Sequence, residues 1–138
     1  MNAVVLDTSV IVAGLMARRG AASELVNAFF ADRLQLAYTP AILGEYAEVL
    51  ARPEFAEEFS PTDRIGVILK LRASGFLLKP APVPEASWPD VDDLPFVAAA
   101  LATERKIVVT LNSRDFGPAV AFGVRVLSPS EARRELLP

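Results

Sequence analysis

The sequence MNAVVLDTSV, from Met1 to Val10, contains the pattern from which the architecture follows. A short apolar run ends abruptly at Asp7, and a helical apolar pattern begins at Val10. A strand that presents a carboxylate at its C-terminal end, directly before a helix, is typical of ligand sites in open α/β sheets. The same position suits an aspartate that caps the helix N-terminus. Whether Asp7 is a ligand or a cap depends on which other acids can join it.

The composition is that of a globular chain, and its length of 138 residues fits a single domain over residues 1–138. Hydrophobic residues make up 52% and charged residues 22% of the chain, which excludes a disordered protein. The mean hydropathy of +0.34 is high, yet no apolar run approaches the ~18 residues that cross a bilayer. We therefore expect a large core or a subunit interface, and no membrane contact. Since no basic segment precedes the first apolar run, the expected location is cytoplasmic.

The chain contains no cysteine and no histidine, and this narrows the possible chemistry. Disulfides, thiolate nucleophiles, Cys/His zinc sites and Ser-His-Asp triads are all excluded. Hydrolysis would have to use carboxylates, hydroxyls, lysine or arginine. The net charge of −3 provides no overall attraction to nucleic acid. Any such attraction must come from local arginines or from bound cations.

Short β-branched runs alternate with helical patterns along the chain. The runs predict strands at residues 4–6, 34–38, 76–78, 107–110 and 124–127. The helical patterns cover residues 10–16, 22–30, 40–51, 62–73 and 93–105, and a short helix follows at the C-terminal end. Thr39-Pro40, Ser60-Pro61 and Ser128-Pro129 each have the pattern of an N-cap followed by a proline in the first helical turn. This alternation predicts a three-layer α/β/α fold around a mostly parallel sheet of four to five strands.

Glu45 belongs to the predicted helix at residues 40–51. At ~100° per residue, the apolar residues of this helix form one arc. Glu45 lies at the border of that arc, from which a carboxylate can reach inward, whereas Glu48 points nearly opposite the arc. Considered alone, a glutamate at such a border is most often a surface residue.

Three acids, Asp90, Asp92 and Asp93, precede an apolar helix that continues from Phe96 as FVAAALA. Acids in a first helical turn are stabilised by the helix dipole without any ligand. Crowded carboxylates also repel one another, and this repulsion favours a bound cation. Because the helix is apolar on nearly all sides, we expect it to be buried and to hold its N-terminal acid rigidly near the sheet.

The segment IVVTLNSRDF, residues 107–116, places Asn112 and Asp115 directly after another strand. Taken alone, these are ordinary loop residues with local hydrogen bonds. Together with Asp7 and Asp93, they follow strands or precede helices, and in a parallel sheet those positions share one edge. Oxygen ligands without histidine or cysteine select Mg²⁺ or Mn²⁺. The sequence therefore predicts an acidic site for one or two such ions, of the kind that hydrolyses phosphodiesters.

Four segments, in order along the chain, resemble the signatures of the PIN-domain family, and within it the VapC-like toxins. They are VVLDTSV, TPAILGEYAEVLARPEF, DVDDLPFVAAALA and IVVTLNSRDF, and the resemblance extends from Val4 to about Pro129. It implies a PIN-like fold and an Mg²⁺- or Mn²⁺-dependent ribonuclease, the toxin of a toxin–antitoxin pair. The partners it implies are an RNA substrate, a small antitoxin protein and a second copy of the chain in a homodimer.

The resemblance also implies the residues of the site. Three of them correspond to the acidic core of the family: Asp7, Glu45 and Asp93. The fourth acid position falls on Asn112, which Asp115 could replace. An amide oxygen binds a cation more weakly than a carboxylate does, so a second metal position is in question unless Asp92 compensates from the neighbouring turn.

Neighbouring polar residues are expected to support this site. Thr8 and Ser9 could orient the Asp7 carboxylate through hydrogen bonds, and Thr110 has a similar supporting role at the end of the next strand. Ser9 stands where the family usually has Asn, so the orienting hydrogen bond should be shortened or missing. The arginines expected to contact RNA phosphates are Arg18, Arg19 and Arg114.

Two other functions are compatible with parts of this pattern. Haloacid-dehalogenase-like phosphatases also begin with a hydrophobic strand that ends in Asp, but they need a second Asp two residues on, where this chain has Ser9. A PIN-like fold that has lost its chemistry and serves as a binding module is the other alternative. The substitution at Asn112 favours the binding module.

Overall fold

The computed structural model describes residues 2–138. Its strands are β1 (Val5–Leu6), β2 (Ala37–Tyr38), β3 (Phe76–Leu77), β4 (Ile107–Val109) and β5 (Arg125–Leu127). Its α-helices are α1 (Thr8–Met16), α2 (Ala21–Phe30), α3 (Pro40–Leu50), α4 (Pro61–Ser74), α5 (Leu94–Leu101), α6 (Gly117–Val120) and α7 (Pro129–Leu136). Three 3-10 turns lie between them, at Pro53–Phe55, Val91–Asp93 and Ser113–Phe116.

The strands form two parallel groups, β1-β4-β5 and β2-β3. A parallel bridge between Val4 and Leu36 joins the groups. There the Val4 amide donates to the Gln35 carbonyl at 3.0 Å, and the Ala37 amide donates to the Val4 carbonyl at 2.8 Å. The spatial order is therefore β3-β2-β1-β4-β5, with every described pairing parallel. The predicted α/β class is confirmed, and the C-terminal ends of all five strands lie along one edge.

The apolar helix α5 lies at the centre of the packing. Its residues Phe96, Val97, Ala98, Ala99 and Ala100 are buried, and the helix contacts β1, β2 and β4. The expected burial of this helix is confirmed, and its N-terminus is held against the same sheet edge as the end of β1. None of the helices within residues 2–138 is both long and apolar enough to span a membrane.

The three predicted helix starts are confirmed by their caps. The Thr39 hydroxyl accepts a hydrogen bond from the Ile42 amide at 3.3 Å. Ser60 and Ser128 each form a capping box with the acid three residues further on. These local signals place the starts of α3, α4 and α7 where the sequence predicts them.

Helix α5 ends at Leu101, so the prediction of a helix as far as residue 105 is wrong. The Thr103 hydroxyl donates to the Ala100 carbonyl at 2.8 Å and accepts from the Lys106 amide at 3.0 Å. This side chain closes a turn that replaces further helical hydrogen bonds. Lys106 adopts φ 52°, a left-handed conformation that directs the chain into β4.

Strand β2 and the segment after β4 also differ from the prediction. The strand predicted at 34–38 is regular only at Ala37–Tyr38, because Leu36 pairs with Val4 as a single bridge. After β4, the chain forms the 3-10 turn Ser113–Phe116 and the short helix α6, neither of which the sequence pattern indicates. This compact turn holds Asp115 near the end of β4.

Helices α1 and α2 approach closely at Gly14. A Cβ atom built on Gly14 would lie 2.4 Å from Val26 Cγ2 and 2.7 Å from the Ala22 carbonyl oxygen. Both distances are shorter than van der Waals contact, so this approach requires the absence of a side chain. Gly14 therefore fixes the position of α1, the helix that begins immediately after Asp7.

We predict that Gly14→Ala lowers the free energy of unfolding by ~1–3 kcal/mol, because the added methyl group overpacks the α1–α2 contact. Gly66→Ala in α4 is the matched control, since a Cβ atom there meets nothing within 4 Å. Alanine is the better helix former, so the control should gain about 0.5–1 kcal/mol. Urea unfolding measures both changes, and stabilisation by Gly14→Ala would contradict the close approach.

Candidate metal centre

A cleft of about 510 Å³ opens at the edge of the sheet where the strands end. Helix α1 forms one wall and helix α3 another, and the segments that follow β4 and precede α5 complete it. Six carboxylates line the cleft: Asp7, Glu45, Asp90, Asp92, Asp93 and Asp115. None of the six forms an ion pair within residues 2–138. The cleft therefore concentrates negative charge that no ion pair among the described residues offsets.

Asp7 occupies the N-cap position of α1, but its side chain makes no capping hydrogen bond. Instead, Ser9 Oγ and Thr110 Oγ1 both donate to Asp7 Oδ2, at 2.8 Å and 2.7 Å. The residue is 5% exposed, so this buried carboxylate is held by hydroxyls in a fixed orientation. The interpretation of Asp7 as a side-chain cap is wrong.

The two hydroxyls are themselves oriented by the backbone after β4. Ser9 Oγ accepts from the Leu111 amide at 3.3 Å, and Thr110 Oγ1 accepts from the Asn112 amide at 2.9 Å. Because each oxygen accepts an amide proton, its own proton is free to point at Asp7. The bond expected to be shortened or missing at Ser9 is present, and Thr110 supports Asp7 directly.

Glu45 projects from α3 into the cleft, half-buried, while Glu48 on the same helix is exposed. Glu45 therefore has the inward position that the sequence predicts. Thr8 Oγ1 donates to Glu45 Oε2, so Thr8 orients Glu45, and its expected contact with Asp7 is wrong. The residue that follows Asp7 therefore contacts the second acid of the cleft.

Tyr46 ties the helix that carries Glu45 to the strand that precedes Asp7. Its hydroxyl, on a fully buried ring, donates to the Leu6 carbonyl. Burial raises the pKa of Tyr46 well above its usual value, and the charges of Asp7 and Glu45 raise it further. The phenol therefore stays protonated and remains a donor, which holds α3 beside the end of β1.

The electrostatic environment raises the pKa of Glu45. Burial is the largest cause, and the charges of Asp7, Asp92 and Glu48 act in the same direction. The hydrogen bond from Thr8 opposes them, because it stabilises the charged carboxylate. Glu45 is thus a carboxylate that takes up a proton more readily than an ordinary glutamate.

Three of the six acids come together most closely. Asp90, Asp93 and Asp115 each offer a carboxylate oxygen, and these oxygens lie within 4.8 Å of one another. Asp93 and Asp115 are sequence-predicted site residues, whereas Asp90 is not among the predicted ligands. Asp90 precedes the 3-10 turn, and its Oδ1 accepts a hydrogen bond from the Asp92 amide at 2.9 Å. Local sequence therefore indicates a turn residue at this position and not a metal ligand.

Among the acids of the cleft, Asp93 has the most strongly shifted pKa, which is raised to about 7. Burial is the largest cause, followed by the charges of Asp7, Asp90, Asp115 and Glu45. A cation bound here would relieve both the repulsion between the acids and the cost of burying the charged Asp93. This is the physical reason for predicting that crowded acids favour a cation.

The remaining predicted positions differ in their placement. Asn112 and Asp92 both line the cleft and are exposed. Asp115, the predicted replacement for the acid missing at Asn112, is the residue of that turn that reaches Asp90 and Asp93. A carboxylate three residues further along the chain than Asn112 thus lies beside those of Asp90 and Asp93.

The three arginines predicted to contact RNA phosphates lie outside the wall of the cleft. Arg18 and Arg19 are exposed after the end of α1, and Arg114 is exposed in the 3-10 turn after β4. None of these three lines the cleft, within the part of the chain that the structure describes. Arg52, which follows α3, does line it, and its role is not indicated by the sequence pattern.

The donor set of the cleft fits a hard divalent cation. Its candidate ligand atoms are carboxylate oxygens, with the Asn112 amide and the hydroxyls nearby. Such oxygens suit Mg²⁺, Mn²⁺ or Ca²⁺ better than softer metals. The raised pKa of Asp93, which results first from burial and then from the neighbouring acids, agrees with a site that a cation completes.

A comparison with protein families finds one match, to a model described as PIN domain, over residues 3–114. This match covers most of the chain and includes all six acids of the cleft except Asp115, which lies one residue beyond it. No curated protein and no solved structure matches the chain.

We predict that the metal-free protein loses stability as the pH rises from about 4 to about 7, in part because of Asp93. Its folded-state pKa of about 7 exceeds its usual 3.8, so its stabilising contribution is fully present below about pH 4 and disappears as the pH passes about 7. In Asp93→Asn this contribution is absent. Urea unfolding in EDTA should therefore show the variant gaining stability relative to the wild type between about pH 4 and about pH 7.

The control for this measurement is Glu57→Gln, which changes an exposed acid outside the cleft. It should leave the pH dependence of the wild type unchanged. Parallel stability curves for the wild type and Asp93→Asn across this pH range would contradict the raised pKa of Asp93.

Proposed function

The chain belongs to the PIN domain family, and on that premise we propose that it is a metal-dependent endoribonuclease that hydrolyses RNA phosphodiester bonds. The observation that carries the proposal is the cleft of six acids, which have no ion-pair partner among residues 2–138. Three of these acids offer carboxylate oxygens that lie within 4.8 Å of one another. An acidic cluster of this kind at the carboxyl edge of a parallel sheet suits the binding of Mg²⁺ or Mn²⁺ beside a phosphate.

Four acids are the proposed metal ligands and catalytic residues: Asp7, Glu45, Asp93 and Asp115. Asp90 joins them as a further ligand, since its carboxylate lies beside those of Asp93 and Asp115. Asp92 and Asn112 line the same cleft and can contribute outer contacts. A bound Mg²⁺ or Mn²⁺ would supply charge stabilisation at the phosphate and a lowered pKa of coordinated water.

The residues of the chain contribute orientation and proton transfer. Ser9 and Thr110 both donate to Oδ2 of Asp7, which limits rotation of the carboxylate and leaves Oδ1 as the proposed ligand atom. Glu45, kept in place by Thr8, is proposed to order the attacking water and accept its proton. Its raised pKa makes it a better base than an ordinary glutamate.

Two features support catalysis over the alternatives. Asp115 supplies a carboxylate near Asp93 despite the amide at Asn112, which removes the main reason for expecting an inactive binding module. The Ser9 hydroxyl donates to Asp7, and it has no carboxylate with which to serve as the acid–base group of an aspartate-dependent phosphatase.

We further propose that the chain is the toxin of a toxin–antitoxin pair, acts in the cytoplasm as a homodimer and is silenced by a small antitoxin protein. This part of the proposal comes from the resemblance of the four motifs to VapC-like toxins. Silencing needs only that the partner block the acidic cleft or displace its metal ions.

We predict that Asp7→Asn abolishes Mn²⁺-dependent RNA cleavage while the fold remains intact. Loss of an outer contact to a metal ligand typically costs ~10–100-fold in metal affinity or activity, so loss of a ligand charge should exceed that range. Cleavage of a labelled RNA and circular dichroism measure the two effects. Glu57→Gln serves as the exposed-acid control and should cleave like the wild type, and retained cleavage by Asp7→Asn would overturn the assignment.

For the toxin role, we predict that expression of the chain in a bacterial host arrests growth and that Asp7→Asn does not. Coexpression of a small protein encoded beside the chain should restore growth of the wild type. Normal growth on expression of an active, folded nuclease would contradict the toxin role without affecting the proposed chemistry.

A further inference from the structure

Arg52 is a cation in the wall of an otherwise acidic cleft. It follows the C-cap of α3, and it lies nearly in line with Glu45 and Val49 along one side of that helix. Among the residues that the structure describes, it is the only lysine or arginine that lines the cleft. Its position beside six carboxylates calls for a physical reason.

Arg52 is held by Glu48 rather than by an acid of the metal site. Its Nη2 lies 3.2 Å from Glu48 Oε1 and 3.4 Å from Oε2, and its Nε lies 3.4 Å from Oε1. The Arg52 and Glu48 side chains are 46% and 64% exposed. Exposed ion pairs of this kind contribute little stability, so the guanidinium can exchange Glu48 for a stronger acceptor at small cost.

A phosphate is such an acceptor. Guanidinium groups bind phosphate oxygens through two parallel hydrogen bonds, which makes arginine the preferred residue for this contact. The cleft repels an RNA strand with its six carboxylates, and metal ions among the acids would offset that repulsion only locally. Phosphates on either side of the cleavage point need a separate cation.

The position of Arg52 favours a flanking phosphate over the scissile one. Glu45 and Arg52 are separated by about two helical turns, ~10 Å along the axis of α3. The Arg52 guanidinium also hydrogen-bonds to Glu48, whose side chain is 64% exposed. The guanidinium therefore lies at the rim of the cleft, away from the acids that would surround the reacting phosphate.

We propose that Arg52 forms a binding subsite for an RNA phosphate next to the scissile one, and that Glu48 holds the guanidinium at the rim until the strand displaces it. This inference rests on the proposed ribonuclease function. It assigns the phosphate contact to Arg52, which lines the cleft. The predicted phosphate-binding arginines, Arg18, Arg19 and Arg114, do not line it.

The test compares Arg52→Gln with the wild type on two forms of one short RNA. The first form is all-phosphodiester, and in the second the phosphates flanking the cleavage point are neutral methylphosphonates. With the first RNA, Arg52→Gln should raise KM by about 10- to 100-fold, the effect of losing a charge-assisted hydrogen bond, and leave kcat nearly unchanged. With the second RNA, the two proteins should have the same KM. Arg52→Lys keeps the charge without the fork and should give an intermediate KM.

The matched control is Arg72→Gln, which removes an exposed arginine of α4 outside the cleft and should behave like the wild type on both RNAs. Equal KM values for Arg52→Gln and the wild type on the all-phosphodiester RNA would overturn the subsite. So would an equal loss on both RNAs, because the effect would then not depend on the flanking charge.

A binding measurement separates this inference from the proposed function. Fluorescence anisotropy of the same RNAs in EDTA, at several salt concentrations, requires no cleavage. One lost phosphate contact should lower the salt slope by about 0.7 in Arg52→Gln. That result in a protein that cleaves nothing would keep the subsite and reject the ribonuclease, whereas cleavage with an unchanged slope and KM would do the reverse. A wild type that neither binds nor cleaves would reject both.

Discussion

The parallel register of β1 and β4 is the constraint on which the site depends. Val5 pairs with Val108 and Leu6 with Val109, and the Asp7 amide continues the ladder with a 2.9 Å hydrogen bond to the Val109 carbonyl. This register brings Thr110 beside Asp7, although 103 positions separate them. A slip of one strand by one residue would place these two side chains on opposite faces of the sheet. The backbone hydrogen bonds of two short strands therefore set the orientation of the first carboxylate in the cleft.

The hydrogen bonds in the cleft orient its carboxylates without neutralising their negative charge. Ser9, Thr8 and Thr110 fix the carboxylates of Asp7 and Glu45 through neutral hydroxyl donors. Arginine or lysine in the same places would orient the acids equally well and would neutralise them. Hydroxyls leave the negative charge in place, and burial beside other acids then makes it unfavourable, as the raised pKa of Asp93 reflects. Because these carboxylates are buried beside one another and keep their charge, the metal-free site is electrostatically unfavourable. The same negative charge makes the site complementary to a divalent cation.

Much of the fold and part of the candidate site follow from local sequence signals. Asp7 could be placed at the sheet edge from its position after an apolar strand, whereas helical periodicity put Glu45 only at the border of an apolar face and the family resemblance assigned it to the site. Crowding marked Asp90 as one of three neighbouring acids but did not single it out as a ligand, and Arg52 has no pattern that distinguishes it from an ordinary surface residue. The end of α5 could not be predicted for a similar reason. The Thr103 hydroxyl competes with the backbone for helical hydrogen bonds, and the bonds it makes depend on the turn that leads into β4.

The sequence by itself determined the order of strands and helices, the capped starts of α3, α4 and α7, and the presence of acids where strands end or helices begin. These features depend on residues close together in the chain, whose periodicity and hydrogen bonding can be read directly. Only the tertiary structure decided which acids meet, that Thr8 serves Glu45 while Ser9 serves Asp7, and that Arg52 is the arginine in the cleft wall. Such contacts depend on the paths of loops and the packing of helices, and distances between residues far apart in sequence are not encoded in any local pattern.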